Sequence, residues 1–319
     1  MTDIIRMAAS VPRHHRRYRL EASLIDGRLE TPFAIFNIEL TNHCPFRCVM
    51  CPRTHNMKRD QGYMSFEVFQ HVIDQLVDAN PDYARNHGVW LHHFGESLVH
   101  PEFDRLMAYA AGRGVSPGLS INPLMLAPKI AERLLLARPA KLYLSLDGHD
   151  DDSFARIRGV EDAYGKSVER LLAFLEMKKV LSPSTRVLLS MIHFDANIES
   201  IEKMRAYWSS IDGIDQFLDK PFTSFDGNTP EVTALRQRDR MPEQHPVTCR
   251  VPMQSVTITW DGDVVPCCFD FDKRYVLGNV LIEPLSDIWN GPAMRALRLE
   301  FQSNRVENPL CRNCESLRR

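Results

Sequence analysis

The chain has 319 residues, enough to bury one large core beside a smaller domain, or two comparable cores. Its 44% apolar and 25% charged residues are typical of a globular protein, and its net charge of −2 excludes a general attraction to nucleic acid or anionic membrane. No apolar stretch is long enough to span a membrane, and the N-terminus has no apolar signal region. We therefore expect a cytoplasmic protein whose partners include neither nucleic acid nor a membrane.

The eight cysteines form two groups, three near the start and five near the end, with nearly two hundred cysteine-free residues between them. Because the cytoplasm keeps thiols reduced, structural disulfides are not expected. The separation instead predicts two metal sites in two regions of the chain. The cysteines are Cys44, Cys48, Cys51, Cys249, Cys267, Cys268, Cys311 and Cys314.

A basic run, "RHHRRYR" at 13–19, precedes the first predicted strand. A solvated arm or helix is the simpler interpretation of such a run. A patch that binds a phosphate or another anionic group of a substrate is the alternative.

From residue 34 onward, β-branched and aromatic apolar runs alternate with stretches whose apolar residues recur at the helical period. This alternation is typical of a parallel sheet with crossover helices. Six such units of about 31 residues each predict an α/β fold, a partial (β/α)6 TIM-like barrel with its site at the C-terminal ends of the strands. The predicted strands are 34–41, 88–95, 118–123, 141–148, 185–194 and 214–219.

The pattern changes after the sixth strand. Residues 221–246 are polar and rich in Pro, Gly and Asp, which predicts a linker. Residues 255–268 predict a hairpin around an Asp-Gly turn, and residues 286–302 predict one helix. We therefore predict two domains. They are 1–230, a partial barrel with an N-terminal basic segment, and 231–319, the linker with a small cysteine-rich domain.

The first cysteine group, "NHCPFRCVMC", has the spacing C-x3-C-x2-C and directly follows the first predicted strand. Three thiolates suit a [4Fe–4S] cluster in which the protein leaves one iron unligated. An open coordination position is typical of a catalytic metal site. Zinc is the alternative, although zinc usually takes four ligands and only His55 follows as a further candidate.

This group resembles the signature of the radical S-adenosylmethionine (SAM) superfamily. The resemblance implies that Cys44, Cys48 and Cys51 hold the cluster, and that its open iron binds the amino and carboxylate groups of SAM. It also implies that an electron from the cluster cleaves SAM to methionine and a 5′-deoxyadenosyl radical. An external electron donor such as a flavodoxin or ferredoxin is therefore an expected partner.

The segment "HFGES" at the second strand end resembles the family's glycine–glutamate segment, which holds the SAM amino group. The resemblance makes Gly95, Glu96 and Ser97 candidate SAM contacts. Two positions depart from the family pattern. Phe94 stands where a further glycine is common, and Met50 stands where relatives often have an aromatic residue near the adenine.

Three later strand ends complete the resemblance. "SINPL" makes Asn122 a candidate SAM contact, and "LSLDG" resembles a segment whose serine, here Ser145, faces SAM. "RIRG" offers Arg158 as the partner of the SAM carboxylate, because arginine binds carboxylates as a bidentate fork. Each segment alone is weak, but they occur in order at successive strand ends, which is the expected structural context.

In the second cysteine group, seventeen residues separate Cys249 from Cys267, and two separate Cys311 from Cys314. This arrangement resembles the twitch domain, the shortened form of the SPASM extension. The resemblance implies one fully ligated auxiliary [4Fe–4S] cluster on these four cysteines, with a structural zinc site as the alternative. The expected cofactors are therefore two [4Fe–4S] clusters and SAM.

Cys268 is left over once seven cysteines are assigned. In an extended segment its side chain would point away from that of Cys267 and toward the barrel mouth. A thiol there can give a hydrogen atom to a carbon radical, and return to the opposite face inverts the carbon. The nearby auxiliary cluster would help to reduce the resulting thiyl radical. The alternatives are a small buried side chain or a substitute cluster ligand.

Other polar residues near the predicted strand ends are candidate substrate contacts, although each is more commonly a hydrogen-bonded structural residue. Of the adjacent pair His92 and His93, at most one faces the interior. The candidates are His93, Asp147, His193, Asp195, Asp219 and Lys220.

We predict a radical SAM epimerase that inverts a carbon centre of a small-molecule glycoside or aminocyclitol in natural-product (antibiotic) biosynthesis. The substrate class rests on analogy with short twitch enzymes. One alternative is a dehydrogenase that oxidises an alcohol, with the auxiliary cluster as electron acceptor. The others are a peptide-modifying maturase and a non-catalytic iron–sulfur or zinc protein.

Overall fold

The computed structural model describes residues 26–193, 198–235 and 249–317. The basic run at 13–19 and the candidate Asp195 lie outside these ranges. No helix within them combines the length and the apolarity needed to cross a membrane.

Six parallel strands lie side by side in chain order, and each follows its predecessor through helical segments. This arrangement confirms the predicted α/β fold with six βα units. Consecutive strands pair in parallel register from the first to the sixth. The strands are β1 Ile35–Ile38, β2 Val89–Trp90, β3 Pro117–Ile121, β4 Lys141–Ser145, β5 Arg186–Ile192 and β6 Gln216–Lys220.

Local sequence signals set the ends of several helices. Ser65 caps the helix Phe66–Ala79 (α2) by accepting a hydrogen bond from the Val68 amide. Asp150 with Ser153 forms a capping box on the helix Asp151–Arg158 (α6). Gly159 ends α6 in the left-handed conformation. The helices of this region are α1 Pro52–Asn56, α2 Phe66–Ala79, α3 Pro81–Asn86, α4 Phe103–Gly112, α5 Pro128–Leu136, α6 Asp151–Arg158, α7 Tyr164–Leu181, α8 Ile198–Ser209 and α9 Pro230–Thr233.

Alternation along the strands separates the two faces of the sheet. Leu142 and Leu144 of β4 belong to the main core, together with apolar residues of the helices. Tyr143 belongs to a separate cluster on the other face, with Trp90, Leu188 and Leu218 from neighbouring strands. This second face is the interior of the partial barrel and leads to the strand ends.

The C-terminal region continues the same sheet. The strand β7 Val256–Ile258 pairs in parallel with β1, and β8 Asp263–Val265 and β9 Gly278–Asn279 follow in antiparallel order. The predicted hairpin is therefore confirmed.

The single helix predicted over 286–302 is wrong. Two helices form instead, α10 Leu285–Trp289 and α11 Pro292–Gln302. Pro292 cannot continue α10 but is well suited to the first turn of α11, so Gly291 becomes the cap between them.

The described part of the predicted linker, residues 221–235, packs against the rest of the chain. Ser224, Asp226 and Thr229 are buried. The Glu315 carboxylate accepts a hydrogen bond from the Ser224 hydroxyl at 2.8 Å, which ties this segment to the C-terminal end of the chain. The domain boundary near residue 230 remains a prediction.

Candidate functional site

The first cysteine loop runs from the end of β1 to the start of α1. The end of α6 holds it through backbone hydrogen bonds, from Arg47 N to Arg158 O at 3.1 Å and from Val49 N to Ile157 O at 3.0 Å. Gly159 has φ of 69°, and a Cβ there would lie 2.7 Å from the Arg47 carbonyl oxygen. Only glycine fits this contact, so the loop and α6 specify each other's position.

The thiols of this loop are shielded from solvent. Burial raises the pKa of Cys44 to about 12 and that of Cys51 to about 11, so both are protonated near neutral pH until a metal displaces the protons. Arg158 Nη1 lies 3.5 Å from the Cys48 sulfur. A cationic donor at this distance stabilises a thiolate and therefore fits a cluster ligand.

Glu96 lies beside the loop with its carboxylate buried. Its amide donates to the His43 carbonyl at 2.9 Å, directly before Cys44. The two carboxylate oxygens accept hydrogen bonds from the backbone amides of Leu98 at 3.2 Å and Asn122 at 3.0 Å. Burial outweighs these bonds and raises the pKa of Glu96 to about 7. A positively charged or N–H donor ligand would stabilise the charged form of this carboxylate.

The residues flanking Glu96 have backbone and packing roles. A Cβ on Gly95 would overlap the Thr41 carbonyl oxygen, so glycine is required for β1 and β2 to approach at this point. The Ser97 hydroxyl donates to the Leu91 carbonyl at 2.6 Å. The structure therefore places Ser97 next to the site, with its donor already used by the strand end.

Asn122 and Ser145 lie at the next strand ends. Asn122 accepts from the Leu124 amide at 2.9 Å through Oδ1, while its Nδ2 is buried and has no protein partner among the described residues. A buried amide donor of this kind fits a ligand acceptor. Ser145 lies 3.5 Å from the hydroxyl of Ser190 on β5, which places both on the interior face of the sheet.

Arg158 forms a buried ion pair with Asp147, whose other oxygen accepts from the Ile192 amide at 2.6 Å. Asp147 therefore has a structural role, orienting Arg158 toward the cysteine loop. Arg158 Nε is buried with no hydrogen-bond partner among the described atoms. Arg158 therefore contacts the Cys48 sulfur through Nη1, while its Nε is available among the described atoms to donate to a ligand. It remains a candidate partner of the SAM carboxylate.

The four predicted auxiliary ligands come together from three parts of the chain. Burial raises the pKa of Cys249 to about 12, and the neighbouring Cys267 thiol adds to this effect. Burial, followed by the charges of Cys267 and Cys249, also raises the pKa of Cys311 and Cys314. The amide of Cys311 donates to Asn308 Oδ1 at 2.9 Å, which shapes the last turn. The four thiols therefore lie near one another.

Cys268 lies outside this set of four. The amide of Asp270 donates to the Cys267 carbonyl at 3.1 Å, so residues 267–270 form a turn rather than an extended segment. The thiols of Cys267 and Cys268 are in hydrogen-bonding contact, which raises the pKa of Cys267. The prediction that the two side chains point in opposite directions is wrong, because β8 ends at Val265 before this pair.

Across 26–193, 198–235 and 249–317, no three His, Cys, Asp or Glu side chains are placed to hold one metal ion. The ring of His55 lies with Nε2 2.9 Å from the Val49 carbonyl oxygen.

The structure also shows a buried charged group that sequence reasoning missed. Glu39, at the end of β1, is fully buried and binds Arg59 through both oxygens, at 2.6 and 2.5 Å. Burial raises the pKa of Glu39, but the contacts with His93 and Arg59 outweigh it and lower the pKa to about 2. The signal was present in the sequence, since a charged residue within the apolar strand "IFNIEL" needs a buried partner.

The remaining candidates divide between the two sides of the sheet. His92 packs edge-on against Trp90 with ring centres 5.7 Å apart, so His92 faces the interior. His93 instead contacts Glu39 and the backbone of Cys268. The His193 ring contacts the Asp219 carboxylate, and the Lys220 amine lies 4.3 Å from the centre of the Tyr143 ring.

This arrangement of strand-end residues around a three-cysteine loop agrees with the comparisons to known families. The sequence profile of the radical SAM superfamily matches residues 38–207, and that of the SPASM iron–sulfur cluster-binding domain matches residues 249–315. The chain belongs to the radical SAM superfamily. It is a radical SAM enzyme with a C-terminal SPASM domain, so the non-catalytic alternative is set aside.

Similar proteins span nearly the whole chain. A tungsten-containing aldehyde ferredoxin oxidoreductase cofactor-modifying protein of Pyrococcus furiosus is 24% identical, over 87% of this chain and 86% of its own. An S-adenosyl-L-methionine-dependent 2-deoxy-scyllo-inosamine dehydrogenase of Niallia circulans is 21% identical, over 89% and 94%.

Solved structures share the fold at lower identity. The structure of BtrN in complex with AdoMet and 2-DOIA has a TM-score of 0.58 at 16% identity, covering 90% of this chain and 94% of BtrN. Streptococcus suis SuiB bound to precursor peptide SuiA has a TM-score of 0.65 at 15% identity, covering 92% and 72%.

The cofactors of the two families fit the residues present. A radical SAM domain binds a [4Fe–4S] cluster and SAM, and a SPASM domain binds additional auxiliary iron–sulfur clusters. The buried Glu96 carboxylate, the unpartnered Asn122 amide and the cationic Arg158 provide groups of the right chemistry beside the first cysteine loop.

Proposed function

We propose that this enzyme inverts a hydroxyl-bearing carbon of a small sugar or aminocyclitol unit, with Cys268 returning the hydrogen atom. One observation carries the proposal. Cys267 interacts with Cys249, Cys311 and Cys314, and the Cys268 thiol contacts Cys267 from the adjacent position in the chain. The chain thus retains a thiol next to the auxiliary site after seven cysteines are assigned to clusters.

Residues at the strand ends have distinct roles in this proposal. Cys44, Cys48 and Cys51 hold the first cluster, and Cys249, Cys267, Cys311 and Cys314 hold one auxiliary cluster. When bound, the cofactors supply a 5′-deoxyadenosyl radical that takes a hydrogen atom from the substrate, together with an auxiliary one-electron centre. Glu96 accepts hydrogen bonds from the SAM amino group, while Asn122 and Arg158 bind its carboxylate and Ser145 faces it.

The proposed hydrogen return conserves both atoms and electrons. The Cys268 S–H bond breaks homolytically and a new C–H bond forms on the second face of the substrate carbon. One electron from the external donor, a flavodoxin or ferredoxin, and one solvent proton then restore the thiol. The substrate keeps its oxidation state, and a separate electron is consumed in cleaving SAM.

The interior face of the sheet supports a small polyhydroxylated substrate. Trp90 and Tyr143 pack with ring centres 4.9 Å apart, and His92 and Ser190 lie on the same face toward the strand ends. Hydroxyl and imidazole groups beside aromatic rings are suited to binding a small polyhydroxylated ligand. The partner we propose is therefore a glycoside or aminocyclitol rather than a peptide.

Dehydrogenation is the second candidate, favoured by the near-complete overlap with a relative named as a 2-deoxy-scyllo-inosamine dehydrogenase. In this case no hydrogen atom returns. The substrate radical loses one electron to the auxiliary centre and its hydroxyl loses a proton, which leaves a carbonyl group. The product is then two hydrogens poorer than the substrate.

Anaerobic turnover in D2O separates the two candidates. With a panel of aminocyclitols and their glycosides, the wild type should place one solvent deuterium at the inverted carbon, because a thiol hydrogen exchanges with water. Cys268→Ala should retain about eight irons and still form 5′-deoxyadenosine with substrate present, but yield no inverted product. Cys268→Ser is the matched control for size, and its stronger O–H bond should also prevent inversion.

Full inversion by Cys268→Ala would refute hydrogen return by Cys268 and would require another donor for the inverted carbon. A wild-type product lacking two hydrogens would refute the epimerase and would establish the dehydrogenase. Loss of about four irons from Cys268→Ala would make Cys268 a ligand and reopen the assignment of Cys267.

A further inference from the structure

A buried group of barrel residues holds the loop that carries Cys268. We call Glu39, Arg59 and His93 the bracket, and residues 267–272 the auxiliary loop. His93 Nε2 lies 3.0 Å from the Cys268 carbonyl oxygen, and its Nδ1 lies 3.3 Å from Glu39 Oε1. The His93 and Glu39 side chains are only 2% and 0% exposed. The bracket therefore links the first two barrel strands to Cys268 without intervening solvent.

The far end of the auxiliary loop has separate attachments. Arg59 Nε donates to the Phe271 carbonyl at 2.7 Å, and its backbone amide donates to Asp272 Oδ1 at 3.0 Å. Lys58 N donates to the same oxygen at 2.7 Å. The loop is therefore fixed near residues 271–272 whether or not His93 is present. Among the hydrogen bonds of the described residues, the one from the barrel to Cys268 comes from His93.

We propose that His93, packed beside Glu39, is a positioning residue that fixes the backbone of Cys268 and thereby the placement of the thiol that returns the hydrogen atom. This inference rests on the proposed function. His93 Nε2 makes the hydrogen-bonding contact with the Cys268 carbonyl, while Nδ1 only lies near Glu39 Oε1, so turning the ring would break the contact with Cys268. Fixing the Cys268 carbonyl fixes the peptide plane beside the thiol-bearing carbon. The centres of the Phe94 and His93 rings lie 4.6 Å apart, and this contact further restricts the imidazole.

The bracket also explains why a charge is tolerated inside the first strand. Glu39 receives two charge-assisted bonds from Arg59, and the amides of Phe94 and Trp260 lie 3.4 Å from its oxygens. A buried carboxylate with this many donors is rigid as well as paired. It gives His93 a fixed support on the barrel side. The bracket therefore fixes the position of the Cys268 backbone relative to the barrel that holds the first cysteine loop.

The test compares His93→Leu with His93→Gln, a variant that keeps a donor to the Cys268 carbonyl. His93→Leu should retain wild-type iron content and 5′-deoxyadenosine formation, while the ratio of inverted product to 5′-deoxyadenosine falls about tenfold because the thiol is misaligned. His93→Gln should recover much of that ratio. His100→Leu is the control, since His100 is a second buried histidine bound to a carbonyl, that of Met64 at 2.9 Å.

A second measurement does not depend on turnover. In the cluster-loaded enzyme, Cys268 is the remaining thiol under our assignment, so its alkylation by iodoacetamide can be followed by mass spectrometry. His93→Leu should change the alkylation rate of Cys268, whereas His93→Gln and His100→Leu should match the wild type. Wild-type values of both the ratio and the alkylation rate in His93→Leu would overturn the proposal.

The outcomes also separate this inference from the proposed function. Inversion by Cys268→Ala would remove the hydrogen-return role of Cys268, yet an altered alkylation rate in His93→Leu would still support the positioning of Cys268 by His93. Where His93→Leu fails to fold, His93→Asn takes its place. Asparagine is polar but too short to reach the Cys268 carbonyl. It should therefore lower the ratio and change the alkylation rate, and wild-type values for it would likewise overturn the proposal.

Discussion

The two cysteine regions are built in opposite ways. The first takes its three cysteines from eight consecutive residues at the end of one strand, and backbone contacts with the end of α6 give the loop its shape. The second collects Cys249, Cys267 and the pair Cys311 and Cys314 from places far apart in the chain. The first region therefore depends on the barrel alone, whereas the second exists only after the whole C-terminal region has folded.

The two cysteine regions also differ in whether the polar groups around them have hydrogen-bond partners. Beside the first loop, the Glu96 carboxylate is buried with a raised pKa, and Asn122 Nδ2 has no partner among the described residues. Beside the second, Asn308 and Glu315 have their side-chain oxygens engaged by nearby backbone and hydroxyl donors. Unsatisfied buried groups are costly unless a ligand binds them. The difference indicates an open site at the first region and a closed one at the second.

The largest expected effect tests this division directly. Changing Cys44, Cys48 and Cys51 together to Ala should lower the iron content of reconstituted enzyme from about eight to about four and abolish SAM cleavage. The matched variant, Cys311→Ala with Cys314→Ala, should also lose about four irons but should still cleave SAM. SAM cleavage by the triple variant would contradict the assignment of the first loop.

A smaller effect is expected at Glu96. Glu96→Gln should retain its clusters but bind SAM roughly 10- to 100-fold more weakly at pH 8, because it removes a charged acceptor. Since the pKa of Glu96 is about 7, wild-type Glu96 loses its charge as the pH falls from 8 to 6. The advantage of wild type over Glu96→Gln should therefore shrink over this range, whatever the titration of SAM itself contributes.

Equilibrium dialysis under anaerobic conditions measures this ratio. Glu102→Gln is the control, because Glu102 is exposed and pairs with Arg105. Equal SAM affinities for wild type and Glu96→Gln at pH 8 would mean that Glu96 only shapes the turn.

The smallest effect concerns the closed region. Glu315 accepts hydrogen bonds from the hydroxyls of Ser224 at 2.8 Å and Thr223 at 3.2 Å. Glu315→Gln should lower the free energy of unfolding by about 1–3 kcal/mol, because a buried charged acceptor is lost. Heating the loaded enzyme should release auxiliary iron at a lower temperature, while SAM binding is unchanged. The exposed Glu307→Gln is the control, and equal release temperatures would contradict the role of Glu315.

Sequence reasoning predicted the barrel because periodicity is a local property. Each strand run and each helix stretch can be recognised without knowing its neighbours, and the three clustered cysteines were found in the same way. The broken helix at Gly291 and Pro292 was also visible in the sequence, since proline begins helices and does not continue them. The prediction of one helix followed the apolar periodicity of 286–302, which continues across Gly291 and Pro292.

Other features depend on contacts between distant residues and were not predictable. Glu39 lies 20 residues from Arg59 along the chain, and His93 lies 175 residues from Cys268. No local pattern pairs them. The packing of the polar segment 221–235 likewise depends on the distant Glu315. The turn at 267–270 is different, since β8 ends at Val265 and Pro266 follows it directly in the sequence.

The pairing of β1 with β7 has a consequence for electron movement. The strand β1 leads into the first cysteine loop, while β7 and its neighbour β8 lie between Cys249 and Cys267. Backbone bonds from Val256 N to Ala34 O at 2.9 Å and from Glu39 N to Ile258 O at 2.8 Å join the two strands. Because paired strands keep a nearly constant spacing, this shared sheet ties the base of the first cysteine loop to the strands between Cys249 and Cys267. The distance that an electron would cross between clusters held by the two regions is therefore set in part by backbone hydrogen bonds.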